Sequence, residues 1–561
     1  MRATQTSDLW WKSAVIYCLD IETYLDTDGD GTGDLAGLAE RIDYLAELGI
    51  NCLWLMPFYP SPDRDDGYDV KDFYGVDDRL GNHGQLVEVI RTAHDRGIRV
   101  IADLIINHTS DQHPWFRAAR SSTTNRYRDF YVWRDTEPPD TSDQVVFPDE
   151  EDSIWTKDDK TGQWYLHHFY SHQPDLNVAN PAVRDEIMRI IGFWLELGID
   201  GFRVDAVPFF IEDVETTADA ADDPAVPSDP HHILKEIRAF MARRKGSAMM
   251  LGEVNIPHQQ QLEYFGGDSG DELTMMFDFV SMQAAYLSLA RQQAAPLATA
   301  ISGRPPIHPA CQWANFLRNH DELTLDKLTD EERQEVFAAF GPEEEMQLFG
   351  RGLKRRLPPM LGGDPRRIRM AYSLMFSLPG TPTLYYGEEI GMGEDLAAEG
   401  RMAVRTPMQW TDDRTGGFSS ATPGRLIQRP VPDGYGPEHV NVKDQRHDPD
   451  SLWTFMREII AARRTCPELG WGTVTLLDSG SPQVFAHRCD LDGSAVLAVH
   501  NLGADPVTVS VEVEGLGEGR ELVDLLERDA VALESGPLEL ALPGYGFHWF
   551  RLGGSGQLGA G

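Results

Sequence analysis

Short apolar runs suited to buried strands alternate with amphipathic stretches of helical period along most of the chain. The runs fall at 14–19, 52–56, 100–106, 201–207, 249–254, 275–279, 313–318 and 383–386. Helical patterns stand at 38–48, 85–94, 185–197, 233–244, 282–293 and 367–378, with another at 452–464 after the eighth run. Eight strands with intervening helices predict a closed parallel (β/α)8 barrel. Within the fourth run, Arg203 and Asp205 are two apart and point the same way, so the carboxylate sits beside a fixed cation that keeps it ionised. Such a pair is either a poised nucleophile or a structural ion pair.

Two connections are too long to be simple loops. Residues 109–177, rich in Trp, Tyr, Asp and His, read as a subdomain inserted after the third strand, and 323–365 as a smaller helical lid after the seventh. The barrel then comprises 1–108 and 178–465. From 466 to 553 the pattern changes to short alternating runs (473–477, 494–500, 507–513) split by Gly and Asp, which predicts a C-terminal β-sandwich. The last residues, 554–561, are linker-like and expected to be disordered.

Charge and cysteine usage narrow the class. Fifty Lys+Arg against 90 Asp+Glu give a net charge of −40, which disfavours nucleic acid and anionic membranes as partners. Cys18, Cys52, Cys311, Cys466 and Cys489 lack metal-type spacing and read as free buried thiols. Residues 1–18 lack a signal-peptide pattern and no apolar run is long enough for a bilayer, so a cytoplasmic location is expected.

In a barrel of this kind chemistry collects at the carboxyl ends of the strands. Those ends carry Asp103, Asn107 and His108, then Arg203 and Asp205, then Glu253, then Arg318 to Glu322. Carboxylates converging from different strands are what glycosidic cleavage needs, with one attacking the anomeric carbon and another protonating the departing oxygen. The segments Asp103-Leu104-Ile105-Ile106-Asn107-His108, Gln173-Pro174-Asp175-Leu176-Asn177, Gly201-Phe202-Arg203-Val204-Asp205, Gly252-Glu253-Val254-Asn255 and Phe316-Leu317-Arg318-Asn319-His320-Asp321 resemble the α-amylase family of glycoside hydrolases and transglycosidases. The resemblance implies that Asp205 is the nucleophile, Glu253 the general acid/base and Asp321 the carboxylate that holds sugar hydroxyls. It also implies that Arg203 orients Asp205, that His108 and His320 donate to the transferred sugar, and that the outcome is retention. In the oligosaccharide branch of the family, residues matching Asp65 and Arg405 pair at the blind end of the pocket and one matching Tyr68 stacks under the outermost glucose.

The run Asp26-Thr27-Asp28-Gly29-Asp30-Gly31-Thr32-Gly33-Asp34 is a separate, metal-type signal. It starts like a calcium loop, but the twelfth place is Gly37 where an EF-hand needs glutamate. The oligosaccharide branch carries the same loop, which implies a structural Ca²⁺ on the side chains of Asp26, Asp28, Asp30 and Asp34 and the carbonyl of Thr32; an acidic turn without metal is the alternative. Segments such as Ser171-His172-Gln173-Pro174-Asp175 and Arg355-Arg356-Leu357-Pro358-Pro359-Met360 resemble the trehalose synthase-like branch, which interconverts maltose and trehalose inside one closed site. Glu22, where those relatives usually carry arginine, and the stretch 254–258 depart from the branch and bear on the acceptor side. The expected substrate is therefore a short α-glucoside such as maltose or trehalose, with no organic cofactor. The readings that stand are isomerase or transglucosidase, exo-acting α-glucosidase, and a barrel that only binds sugar or a partner.

Overall fold

The computed structural model describes residues 7–211, 229–513, 521–527, 530–532 and 537–552. The tail at 554–561 lies outside them. Eight parallel strands close a barrel in sequence order: β1 (Ile16–Leu19), β2 (Cys52–Leu55), β3 (Arg99–Leu104), β4 (Gly201–Val204), β5 (Met249–Gly252), β6 (Met275–Phe277), β7 (Gln312–Asn315) and β8 (Thr381–Tyr385), with β8 pairing back to β1. Most strand positions are buried because helices cover the outer face, which is why these runs read as apolar.

The helix Pro181–Leu197 shows how sequence sets the path into β4. Asn180 caps its start, accepting from the Ala182 amide, and Pro181 occupies the first turn. Its end is Gly198 at φ 115°, a left-handed position that favours glycine, so the chain reverses into the barrel within a few residues. A short helix, His258–Tyr264, follows β5 where the sequence pattern gave none. Its polar face, His258-Gln259-Gln260-Gln261, hides the helical period.

The subdomain after β3 is built on a three-stranded sheet of Trp133–Arg134, Trp164–Leu166 and Trp155–Lys157, and bridges at His108–Asp175 and Tyr131–Leu176 stitch it to the end of β3. The lid after β7 is not purely helical. Its helix Asp330–Phe340, capped by the reciprocal Thr329–Glu332 pair, is joined by a three-stranded sheet of Leu323–Thr324, Gly352–Leu353 and Gln347–Leu348. The strands are two residues long, too short for a period to register.

A six-stranded sheet and the pair Val507–Val511 with Leu538–Leu542 form the C-terminal domain, and Val484, Leu497, Val509, Leu540 and Phe550 make a second core. The other face of the large sheet lies on the barrel helix Pro365–Ser377. Trp549 is fully buried there and donates to Ser373 Oγ at 3.0 Å, beside a 2.9 Å contact between His500 Nε2 and the same hydroxyl. Among the described residues no helix is long and apolar enough to cross a membrane, and all five cysteines are free and buried.

Trp549→Ala removes a buried indole at this junction. It is expected to destabilise the docking of the C-terminal domain by about 3–5 kcal/mol. The check is the midpoint of urea unfolding followed through that domain.

Candidate active site

β3 and β4 pair in a register that sets Asp103 directly beside Arg203. The buried guanidinium donates through Nη1 to Asp103 Oδ1 at 2.6 Å and to Asp205 Oδ1 at 2.5 Å, and through Nη2 to Glu253 Oε2 at 2.6 Å. Trp54 Nε1 fixes the other oxygen of Asp103 at 2.8 Å. Asp205 and Glu253 each lie one residue beyond their strands, not inside them as the runs 201–207 and 249–254 suggest. Directly after Asp205 the chain bends through Ala206, whose φ of 50° is in the left-handed region that a Cβ disfavours. That bend aims the Ala206 amide at Glu253 Oε2, 3.2 Å away.

Burial pushes both carboxyls up against the pull of Arg203: Asp205 to about 6 and Glu253 to about 7, each raised further by the neighbouring acids. Asp321 goes the other way. Burial would raise it, but Arg401, His320, Arg405 and Arg203 together hold it well below the usual carboxylate range. Its oxygens are 3.0 Å from Arg401 Nη1, 3.2 Å from Arg405 Nη2 and 3.2 Å from His320 Nε2. Tyr68 lies parallel to the His320 ring and its hydroxyl is 2.7 Å from His320 Nε2. His108 Nε2 is 3.3 Å from the Tyr68 carbonyl. Burial holds both imidazoles neutral, His108 down at about 4 and His320 well below its ordinary value.

The expected Asp65–Arg405 pair is not formed. Arg405 gives Nη1 to Asp66 Oδ2 at 2.6 Å and Nε to the His320 carbonyl at 2.9 Å, and is buried behind the cavity wall. Asp65 faces the cavity, accepts from Gln173 Nε2 at 2.7 Å and is pushed up to about 6 by burial, against Arg401 and Arg405. The cause is the backbone: Asp66 at φ 48° and Gly67 at φ 86° turn the loop, so adjacent carboxylates leave in different directions. The arginine that the cavity wall carries beside Asp321 is Arg401, which the sequence reading missed. It lies in the short 3₁₀ helix Gly400–Val404 of the connection after β8, and only its place four residues before Arg405 signals it.

All three carboxylates line one cavity of about 400 Å³, within the range of roughly 300–1,000 Å³ usual for small-molecule sites. The two insertions meet over it. Arg351 Nη1 of the lid donates to the Val146 carbonyl of the subdomain at 2.7 Å, and the Phe147 and Phe349 rings lie 4.9 Å apart. Arg401 stacks on both rings, at 5.0 and 5.9 Å. Of the residues that depart from the trehalose synthase-like pattern, Ile256 lines the cavity, whereas Glu22 lies behind it and binds Arg79 Nη1 at 3.0 Å.

In the acidic loop after β1, Asp26, Asp28 and Asp34 bring carboxylate oxygens within 4.8 Å of one another. One calcium ion, with Ca–O distances of roughly 2.3–2.6 Å, spans such a set. Asp30 is outside the group: it is exposed and accepts from the Thr32 amide at 2.8 Å. Gly31, at φ 106°, is required for a close approach, since a Cβ there would stand 2.0 Å from the Arg425 carbonyl oxygen. Asp34 also caps the helix Leu35–Leu48.

Residues 21–340 and 353–472 match the family described as alpha amylase, catalytic domain, and 493–551 match the sucrose hydrolase-like C-terminal domain. The chain is 42% identical over 551 residues to a trehalose synthase/amylase of Mycobacterium tuberculosis, covering 97% of this chain and 90% of that one. An oligo-1,6-glucosidase of Halalkalibacterium halodurans is 29% identical, over 88% of this chain and 91% of its own length. Among solved structures, a trehalose-6-phosphate hydrolase of Bacillus licheniformis superposes with a TM-score of 0.77 at 26% identity, covering 97% of this chain and 99% of that one. A barrel with three carboxylates at the ends of three strands, matched over most of its length by that catalytic-domain family, belongs to the α-amylase family.

Proposed function

We propose that this chain is a retaining α-glucosyl enzyme that interconverts maltose and trehalose through a glucosyl ester on Asp205. Asp205 attacks the anomeric carbon; Glu253 gives its proton to the departing oxygen and later takes one from the acceptor. Their order of acidity suits these roles, because Asp205 loses its proton first and Glu253 keeps one longer. Asp321, ionised and held by two arginines, accepts from hydroxyls of the transferred glucose, with the neutral His108 and His320 as further partners.

The observation that carries the isomerase reading is the roof. The Arg351–Val146 bond and the Phe147–Phe349 contact bridge the cavity from two insertions and narrow its mouth, which favours retention of the released glucose over entry of water to the ester. Among the described residues, the three cations on the cavity wall each face a carboxylate: Arg351 faces Glu322, Arg401 faces Asp321 and Glu322, and Lys327 faces Asp326. That balance suits a neutral disaccharide. Five buried free thiols support a reducing, cytoplasmic location.

Hydrolysis is the competing reading, favoured by the apolar Ile256 beside the acid. Incubation with maltose, and separately with trehalose, decides between them: the isomerase yields the other disaccharide as main product, whereas glucose alone means a hydrolase. The pH dependence follows from the same two groups. Below about 6 Asp205 takes up a proton and cannot attack, and above about 7 Glu253 loses the proton it must give, so kcat/KM on an aryl α-glucoside is a narrow bell. Glu253→Gln is expected to lower the rate by about 10²–10⁴ and to abolish the alkaline limb.

The acidic loop is proposed to hold one structural Ca²⁺ on Asp26, Asp28 and Asp34. A site kept at 100 times its Kd adds about 2.7 kcal/mol of stability. Chelator is expected to lower Tm, calcium to restore it, and Asp26→Asn to remove the difference; an unchanged Tm with no calcium by elemental analysis refutes the site.

A further inference from the structure

A sugar turning inside the site needs partners of its own, and their place is fixed by the acid. Glu253 protonates the leaving oxygen, so the leaving glucose lies on its side of the scissile bond. Two residues along from Glu253, Asn255 lines the cavity and donates through Nδ2 to both oxygens of Asp326, at 3.0 and 3.2 Å. Asp326 also accepts from Gln283 Nε2 at 3.1 Å and from Thr324 Oγ1 at 3.3 Å, and Lys327 Nζ reaches its Oδ2 at 2.9 Å. The Lys327 backbone is itself pinned, its amide donating to Gln283 Oε1 at 2.8 Å. Three elements therefore converge on one carboxylate: the end of β5, the helix Phe279–Arg291 and the base of the lid.

The consequence is a division of labour. Asp326 has its oxygens filled by neighbours, and burial, which would raise it, is outweighed by Lys327, Asn255 and Gln283, so it stays below its ordinary value. An ammonium has three N–H donors, of which the geometry commits one to Asp326. The side chain is 26% exposed and lines the cavity.

We propose that Lys327 binds hydroxyls of the acceptor glucose and that Asp326 is the positioning residue that holds it, so that this pair sets how the glucosyl ester divides between sugar and water. The proposal rests on the glucosyl-ester reading above and names the acceptor side of that site. In the step it controls, the acceptor hydroxyl oxygen forms a bond to the anomeric carbon, the bond from that carbon to Asp205 breaks with its electron pair returning to the carboxylate, and the hydroxyl proton passes to Glu253. Water follows the same course to give free glucose. A lysine that holds the sugar hydroxyl in line favours the first course over the second.

The test uses the full chain, an aryl α-glucoside as donor and added labelled glucose as acceptor, so that the ester is formed whether or not maltose is isomerised. The readout is the ratio of labelled disaccharide to donor glucose released by water. Lys327→Met and Asp326→Asn are each expected to lower that ratio about tenfold, the scale of one hydrogen bond to a charged group. Lys327→Arg, which restores the charge and the donors, should recover most of it. A ratio unchanged in Lys327→Met and Asp326→Asn, or no transfer to glucose by the parent enzyme, overturns the proposal. Failure of the parent to make trehalose from maltose while still transferring to glucose refutes the isomerase reading alone and leaves the proposal standing.

Discussion

The site depends on one buried guanidinium. Arg203 is buried and spans three carboxylates from three successive strands, Asp103, Asp205 and Glu253. Removing such a partner leaves uncompensated buried charge at a cost of about 3–5 kcal/mol, so the group is worth more as an arrangement than as separate ion pairs. The same cation keeps two acids close without forcing both to be neutral. Its planar fork presents Nη1 to one and Nη2 to the other, which no lysine does. The two carboxyls stand close because both bind this guanidinium, and burial lifts each of them against its pull.

A second chain of charges runs from the roof to the outer surface. Arg351 meets Glu322, Glu322 meets Arg401, Arg401 meets Asp321, Asp321 meets Arg405 and Arg405 meets Asp66. Beyond Asp66 stand Glu22 and then Arg79, which also binds Asp63 and Asp77. Alternating signs let a deep, water-poor region hold many ions, since each is flanked by its opposite. Glu22 is the exception. Burial and the neighbouring Asp20, Asp66 and Asp63 all push its carboxyl well up, and Arg79 supplies the cation from the next loop. The departure thus changes the support behind the donor end and leaves the acceptor wall as it was.

What the sequence made legible follows from this physics. Strand runs are visible because both barrel faces are covered, and the acids are visible because their motifs sit where a strand ends. The pairing in the second βα loop was not legible: Asp65 and Asp66 are neighbours, no period fixes their directions, and a single left-handed residue sends one into the cavity and the other to Arg405. Arg401 was missed for a related reason, since a five-residue 3₁₀ helix, Gly400–Val404, is too short for a period to register. In the acidic loop the resemblance implied four carboxylates, whereas Asp26, Asp28 and Asp34 converge and Asp30 stands exposed outside them. Motifs give residue types, and loop backbone decides which of two adjacent ones serves.

The roof and the donor end are mechanically one object. Arg401 stacks on Phe147 and Phe349 through the face of its guanidinium, while its edge pairs with Asp321 and Glu322. Parting the two phenylalanines to admit a sugar uncovers that guanidinium and lets water reach its ion pairs, which weakens the hold on Asp321 as the dielectric rises. Closing restores both together. The carboxylate that grips the transferred glucose is therefore strongest when the acceptor is shut in, so binding energy at the donor end is available to keep the cover closed during the interval between cleavage and re-joining. An open-mouthed pocket with the same three acids would lack that link. It would let the released sugar leave and water enter more readily.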